Sequence, residues 1–193
     1  MRNIVYTVVI LLSAILNAQE DYSSITITNL NNSNLVIKGR TNICGFKCEF
    51  DADYLKENQE ILVSKNETVL NFKNAVLVLD TNGFDCGNKQ MNRDFNALLK
   101  ADSYPEIILE LKNVETSNYT VIAAAIIHIA GKTHLYKLPV IKTQTAETHF
   151  TGVLKLLLSD FDLEFPKKLF GMIEVKDAIE IHFDIAARYE NLE

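Results

Sequence analysis

The chain has 193 residues, of which 48% are hydrophobic and 23% charged, with a net charge of -6. That is enough apolar material to bury one sizeable core, and no polar tract of the disordered kind interrupts it. An acidic chain without runs of Lys or Arg lacks the surface that displaces counterions from phosphates, so nucleic acid is excluded as a partner and docking to an anionic membrane finds no support.

The first element is not expected to join the fold. Arg2 gives a short positive region, and Ile4 to Leu12 with Ala14-Ile15-Leu16 form an uncharged apolar stretch. Asn17-Ala18 then precede the polar Gln19-Glu20. This pattern is that of a secretory signal peptide over residues 1–18, cut near Ala18. The stretch is shorter than the roughly 20 apolar residues of a spanning helix, so no membrane span is expected after cleavage. The expected location is periplasmic or secreted, with residues 19–193 as one domain.

Beyond residue 20 the dominant period is two, which marks strands with one buried face. Residues 24–30 and 33–50 have strand composition, followed by a short run at 68–72 and another at 74–79. Phe95, Leu98 and Leu99 fall at helical spacing, so a short helix over 92–101 is predicted, with Asn92 as its N-cap and Pro105 barring its extension. Ile107, Leu109 and Leu111 alternate with polar neighbours. Residues 121–130 are rich in β-branched residues, Gly131-Lys132 offers a tight turn, and 133–143 run back as the hairpin partner. Phe150, Gly152, Leu154, Leu156 and Leu158 share one face of a further strand. Ile179, Ile181, Phe183 and Ile185 share one face of the last. The fold class is therefore all-β, about eight antiparallel strands in a sandwich or barrel with one short helix.

Chemistry-bearing residues are sparse. Cys44, Cys48 and Cys86 are three, so at most one intramolecular disulfide forms in an oxidising compartment and one thiol remains. A zinc site is the competing reading, but no His stands at ligand spacing near the three, and no metal is expected. His128, His134, His149 and His182 have no Ser or Cys beside them in a nucleophile motif. Asp160, Asp162 and Glu164 surround Phe161 and form only a weak carboxylate-pair signal. Phosphate-cradling glycine motifs are absent. No catalytic residue is assigned.

Four blocks, taken together, resemble the YceI-like family of exported lipid-binding proteins. The first is Ser33-Asn34-Leu35-Val36-Ile37-Lys38-Gly39-Arg40-Thr41-Asn42 with Phe46-Lys47-Cys48, similar to the family's opening hairpin. The second is Phe84-Asp85-Cys86 through Met91-Asn92-Arg93-Asp94-Phe95 to Tyr104-Pro105, similar to its Met-x-x-Asp helix and Tyr-Pro step. The third is the hairpin at Gly131-Lys132-Thr133. The last is Leu158-Ser159-Asp160-Phe161-Asp162-Leu163 followed by Gly171 to Ile181. The resemblance spans nearly all of residues 19–193. It implies a lipocalin-like barrel that holds a polyisoprenoid, an isoprenoid quinone or a similar long apolar lipid, with no cofactor and no catalysis. Because Cys48 and Cys86 both lie in the matching blocks, it also implies their pairing, with Cys44 left free.

A carrier of this kind needs a dry tube, since each exposed CH₂ of the lipid costs about 0.8 kcal/mol in water. Alternation assigns the lining to Ile107, Leu109, Leu111, Ile127, Ile129, Tyr136, Leu138, Phe150, Leu154, Leu156, Ile179, Ile181 and Phe183. Phe161 is added at the mouth, with Phe165 and Phe170 as further mouth or lid residues, while Lys167 and Lys168 read first as a solvated surface pair and only second as partners of an anionic headgroup. The alternative is that these side chains fill the lumen, leaving an envelope stress or interaction protein without a lipid. A second copy of the chain, as a homodimer, is the other partner considered.

Overall fold

The structure is a computed structural model that describes residues 21–28, 31–55, 58–117, 121–164 and 174–191. The segment read as a signal peptide lies outside the described residues, as do Phe165, Lys167, Lys168 and Phe170. Among the described residues twelve antiparallel strands form: β1 Ser23–Thr28, β2 Asn34–Arg40, β3 Gly45–Phe50, β4 Gln59–Asn66, β5 Val69–Lys73, β6 Val76–Asp80, β7 Phe84–Asp85, β8 Glu106–Thr116, β9 Val121–Ile129, β10 Lys132–Gln144, β11 Thr148–Leu157 and β12 Ala178–Asn191. The α-helix α1 spans Lys89–Leu98.

Eight of the strands close a ring in the order β1-β4-β5-β8-β9-β10-β11-β12, with β12 returning to β1. Closure removes the free sheet edges that an open sheet would carry. The two long partners make it work. β12 pairs through Glu180–Asp184 with β2 and through Arg188–Asn191 with β1. β8 pairs through Glu106–Glu110 with β6 and through Asn113–Glu115 with β5. At the β2/β6 end of the ring, the sheet runs from β6 round to β2, β3 and the two-residue β7. After β7 the chain enters α1, whose Phe95, Leu98 and Leu99 border the same cavity as Phe46 of β3 and Leu79 of β6.

The strand reading of the sequence holds, with four local corrections. Strand β4 is not visible as alternation, because Ile61-Leu62-Val63 run together between polar flanks. The stretch 33–50 is a hairpin, broken where the Thr41 hydroxyl accepts from the Ile43 and Cys44 amides. The hairpin turn after β9 is Ala130–Gly131 rather than Gly131–Lys132. Both turn residues have positive φ, 49° and 77°, as a two-residue turn of this hand requires, and Lys132 already pairs with Ile129. Helix α1 starts three residues earlier than predicted. The Asn88 side chain accepts from the Met91 amide at 2.9 Å and caps it, whereas Asn92 accepts from the Cys86 amide at 2.7 Å. The helix stops before Lys100, whose φ is 54°.

Cys48 on β3 is joined by a disulfide to Cys86, just before α1, and Cys44 is free and exposed. The bridge thus extends the β3–β7 pairing and ties β3 to the segment that leads into the helix. Inside the ring the core runs continuously through Leu35, Ile37, Leu79, Ile127, Leu138, Leu154 and Ile179, all buried.

Candidate functional site

The barrel interior is not equally filled along its length. Towards the α1 end a cavity of about 50 Å³ remains. Every residue around it is apolar. Leu35 and Ile37 come from β2, Phe46 from β3, Leu79 from β6, and Ile107 and Leu109 from β8. Ile127 and Ile129 come from β9, Leu156 from β11, and Ile179 and Ile181 from β12. The helix contributes Phe95, Leu98 and Leu99, and the segment after β11 contributes Leu158 and Leu163. One water needs about 10–15 Å³ on this measure. The cavity has room for a few waters but offers them no polar partner, which favours an apolar occupant.

The residues assigned from alternation divide into two groups. Ile107, Leu109, Ile127, Ile129, Leu156, Ile179 and Ile181 stand in the cavity wall. Leu138, Leu154 and Phe161 are buried in the core away from that wall, and Leu111, Tyr136, Phe150 and Phe183 pack against the core half-buried. The contribution of α1 was legible only as an apolar face at 95, 98 and 99. That the face borders the cavity depends on where the chain runs after β7, which periodicity does not show. Leu35, Ile37, Phe46 and Leu79 were missed because their strands were read without assigning a face.

Polar groups stand beside this cavity, not in its wall. Tyr136 points inward from β10, since it pairs with Ala125 on the face of the buried Ile127. Its hydroxyl donates to Asp160 Oδ2, and it accepts from the Leu157 amide at 3.4 Å. Burial, and then the hydrogen bond to the Asp160 carboxylate, push the Tyr136 hydroxyl well above its ordinary pKa. His134 lies against the Tyr136 ring at 4.8 Å, and its Nε2 is 3.8 Å from Asp160. Phe161, fully buried, stacks on Tyr136 with centroids 6.2 Å apart.

The other histidines are engaged elsewhere. His128 Nδ1 meets Thr133 Oγ1 at 3.0 Å, His149 meets Asp184 at 2.8 Å, and His182 meets Glu180 at 3.1 Å. The Ser159 hydroxyl donates to Asp177 at 2.7 Å. Among the described residues no group of three His, Cys, Asp or Glu is placed to hold a metal ion, and no helix is long and apolar enough to cross a membrane.

The fold is shared with solved structures of low sequence identity. Burkholderia cenocepacia BcnA matches with a TM-score of 0.65 at 19% identity, covering 83% of this chain and 99% of that one. A polyisoprenoid binding domain from Saccharophagus degradans, implicated in plant cell wall breakdown, matches with a TM-score of 0.58 at 13% identity, covering 86% and 98%. No curated protein matches the sequence. A model of the YceI-like domain matches residues 17–187, nearly the whole chain, and the protein belongs to the YceI-like family.

Proposed function

We propose that this protein binds a long apolar lipid of the polyisoprenoid or isoprenoid-quinone kind in its barrel and acts as a non-catalytic carrier or store. The observation that carries the reading is the cavity, walled only by apolar side chains from the barrel and from α1. Such a site rejects water and charge and rewards a branched hydrocarbon chain. A polyisoprenoid is named because the structurally similar domain from Saccharophagus degradans binds one. The apolar stretch before Gln19 fits export to the periplasm or outside the cell, where a water-insoluble lipid has to cross an aqueous space. A carrier without chemistry accords with the inward Tyr136 hydroxyl being bonded to Asp160.

The small volume favours a second reading, a barrel filled by its own side chains that works through its surface. Solvent extraction of protein purified from its exported form, followed by mass spectrometry, separates the two. A chain lipid at near-stoichiometric amount is expected. An empty extract, together with failure to take up added polyisoprenoid, would leave the filled barrel as the account.

A further inference from the structure

The ring is not held by backbone ladders all the way along. β10 pairs with β9 from Lys132 to Pro139, and with β11 only from Val140 to Gln144. β11 pairs with β12 along its whole length, but its residues Val153 to Leu157 have no ladder to β10. Pro139, with no amide hydrogen, stands where β10 and β11 part. Towards the α1 end the two strands therefore face each other across a seam.

Side chains close that seam. The one-turn 3-10 segment Leu158–Phe161 packs against both strands and inserts the fully buried Phe161. Three residue pairs pin the segment and its C-cap residue Asp162. Tyr136 donates to Asp160, Ser159 is held by Asp177 through both its amide and its hydroxyl, and Asp162 pairs with Lys132 at 2.6 Å. Off the ring, β3 is tied to β7 by its ladder and by Cys48–Cys86, and Phe95, Leu98 and Leu99 of α1 stand in the same cavity wall as Phe46 of β3 and Leu79 of β6. Opening the seam breaks a few side-chain hydrogen bonds and no ladder.

The seam also carries apolar side chains on each side, those outside interleaved with the exposed Lys137 and Lys155. Leu156 and Leu158 beside it stand in the cavity wall. Leu135 and Leu157, the outward neighbours of Tyr136 and Leu156, are 55% and 43% exposed, and Val153 is 37% exposed. A hydrocarbon chain crossing here meets apolar side chains outside, at Phe161 and within.

We propose that the seam between β10 and β11 is the portal through which an apolar chain passes between cavity and exterior, with Tyr136 and Asp160 as its latch. This rests on the lipid-binding reading above. The test measures uptake and release of cis-parinaric acid by stopped-flow fluorescence, beside its equilibrium affinity. Tyr136→Phe keeps the ring against Phe161 and His134 but removes the hydroxyl. Loss of a hydrogen bond to a charged group is expected to raise both rates about tenfold. The cavity wall is untouched, so the affinity is expected to stay within about twofold. As a converse, Ser159→Cys with Asp177→Cys, in a Cys44→Ser background, staples the segment where its side-chain oxygens stand 2.7 Å apart, and once oxidised it should slow both rates. Faster amide exchange at Leu157 and Ser159 in Tyr136→Phe would report the same opening without any probe. Normal binding with unchanged rates in both variants would overturn the portal and leave the lipid reading intact. A protein that binds no probe in any form would overturn the lipid reading, and the portal with it.

Discussion

Gly152 on β11 faces Phe183 on β12 across the ladder, and the ring of Phe183 lies over the space where a side chain at 152 would stand. A Cβ built there would come within 2.6 Å of the ring and 2.9 Å of the Pro139 carbonyl oxygen. The same arrangement recurs at Gly39, whose partner Phe46 covers it. In both pairs the aromatic side chain occupies the volume that the glycine vacates. Gly152→Ala is expected to destabilise the barrel by about 1–3 kcal/mol through overpacking, since the ring can move but the backbone oxygen cannot move freely. Chemical denaturation of the variant with a Gly152→Ala, Phe183→Leu double change as control checks this. The double variant should recover part of the loss.

How much of this was legible in the sequence follows the range of the interactions. The alternation at Leu154-Leu156-Leu158 and Ile179-Ile181-Phe183 is local, and it placed inward faces correctly, since Leu154, Leu156, Leu158 and Ile179 are all buried. Alternation carried the all-β class, and the YceI-like blocks narrowed it to a lipocalin-like barrel. What stayed hidden needs three dimensions. Nothing local tells that β12 divides its length between β2 and β1, or that Asn88 and not Asn92 caps α1. The position of the cavity is a sum of side-chain volumes from many separate elements. Leu154 and Leu156 are two residues apart on one face, yet only Leu156 borders the cavity.

The cysteines give a direct chemical check. A disulfide between Cys48 and Cys86 closes a loop with a sequence separation of 38, which in the loop-entropy account contributes about 2–4 kcal/mol. Peptide mapping without reduction should find the 48–86 link, with Cys44 alone open to alkylation. Cys48→Ala with Cys86→Ala should lower stability by that amount while leaving Cys44 reactivity unchanged. A map linking Cys44 to either of the others would contradict the pairing.

Stability should fall at both ends of the pH range, for groups that can be named. The Tyr136 hydroxyl titrates above its ordinary value of 10.0 because burial and the Asp160 hydrogen bond favour its neutral form. The folded state thus keeps a proton that the unfolded chain releases, so this contribution is full below pH 10 and is lost as pH rises through the folded value. Lys132, raised by its bond to Asp162, acts in the same direction above 10.5. Asp85 is lowered chiefly by the Gly87 amide and then by Asn92, and Asp162 by Lys132. Their contributions are present above the ordinary value of 3.8 and are lost as pH falls through the lower folded values. Denaturation at a series of pH values should therefore show an acid and an alkaline limb. Tyr136→Phe should flatten the alkaline limb and leave the acid limb unchanged. An alkaline limb equally steep in the variant would show that Tyr136 does not cause it.

The difference between Leu156 and Leu154 turns the lipid reading into a comparison within one strand face. Both side chains are buried, at 3% and 4% exposure. Leu156 borders the cavity and Leu154 is enclosed by packed core. An ammonium placed in apolar surroundings without water or a partner is severely destabilising. At position 156 the lysine has a gap to extend into and, once lipid is absent, room for water to follow. At position 154 it has neither. Leu156→Lys is therefore expected to abolish lipid uptake while the barrel still folds, with a stability loss of about 1–3 kcal/mol. Leu154→Lys should cost several kcal/mol more or prevent folding. Co-purified lipid, measured by mass spectrometry, and thermal melting are read on the same samples. Equal destabilisation by the two lysines would mean that the cavity confers no tolerance and that both positions are ordinary core. A folded Leu156→Lys protein that retains a full complement of lipid would place the ligand away from this wall.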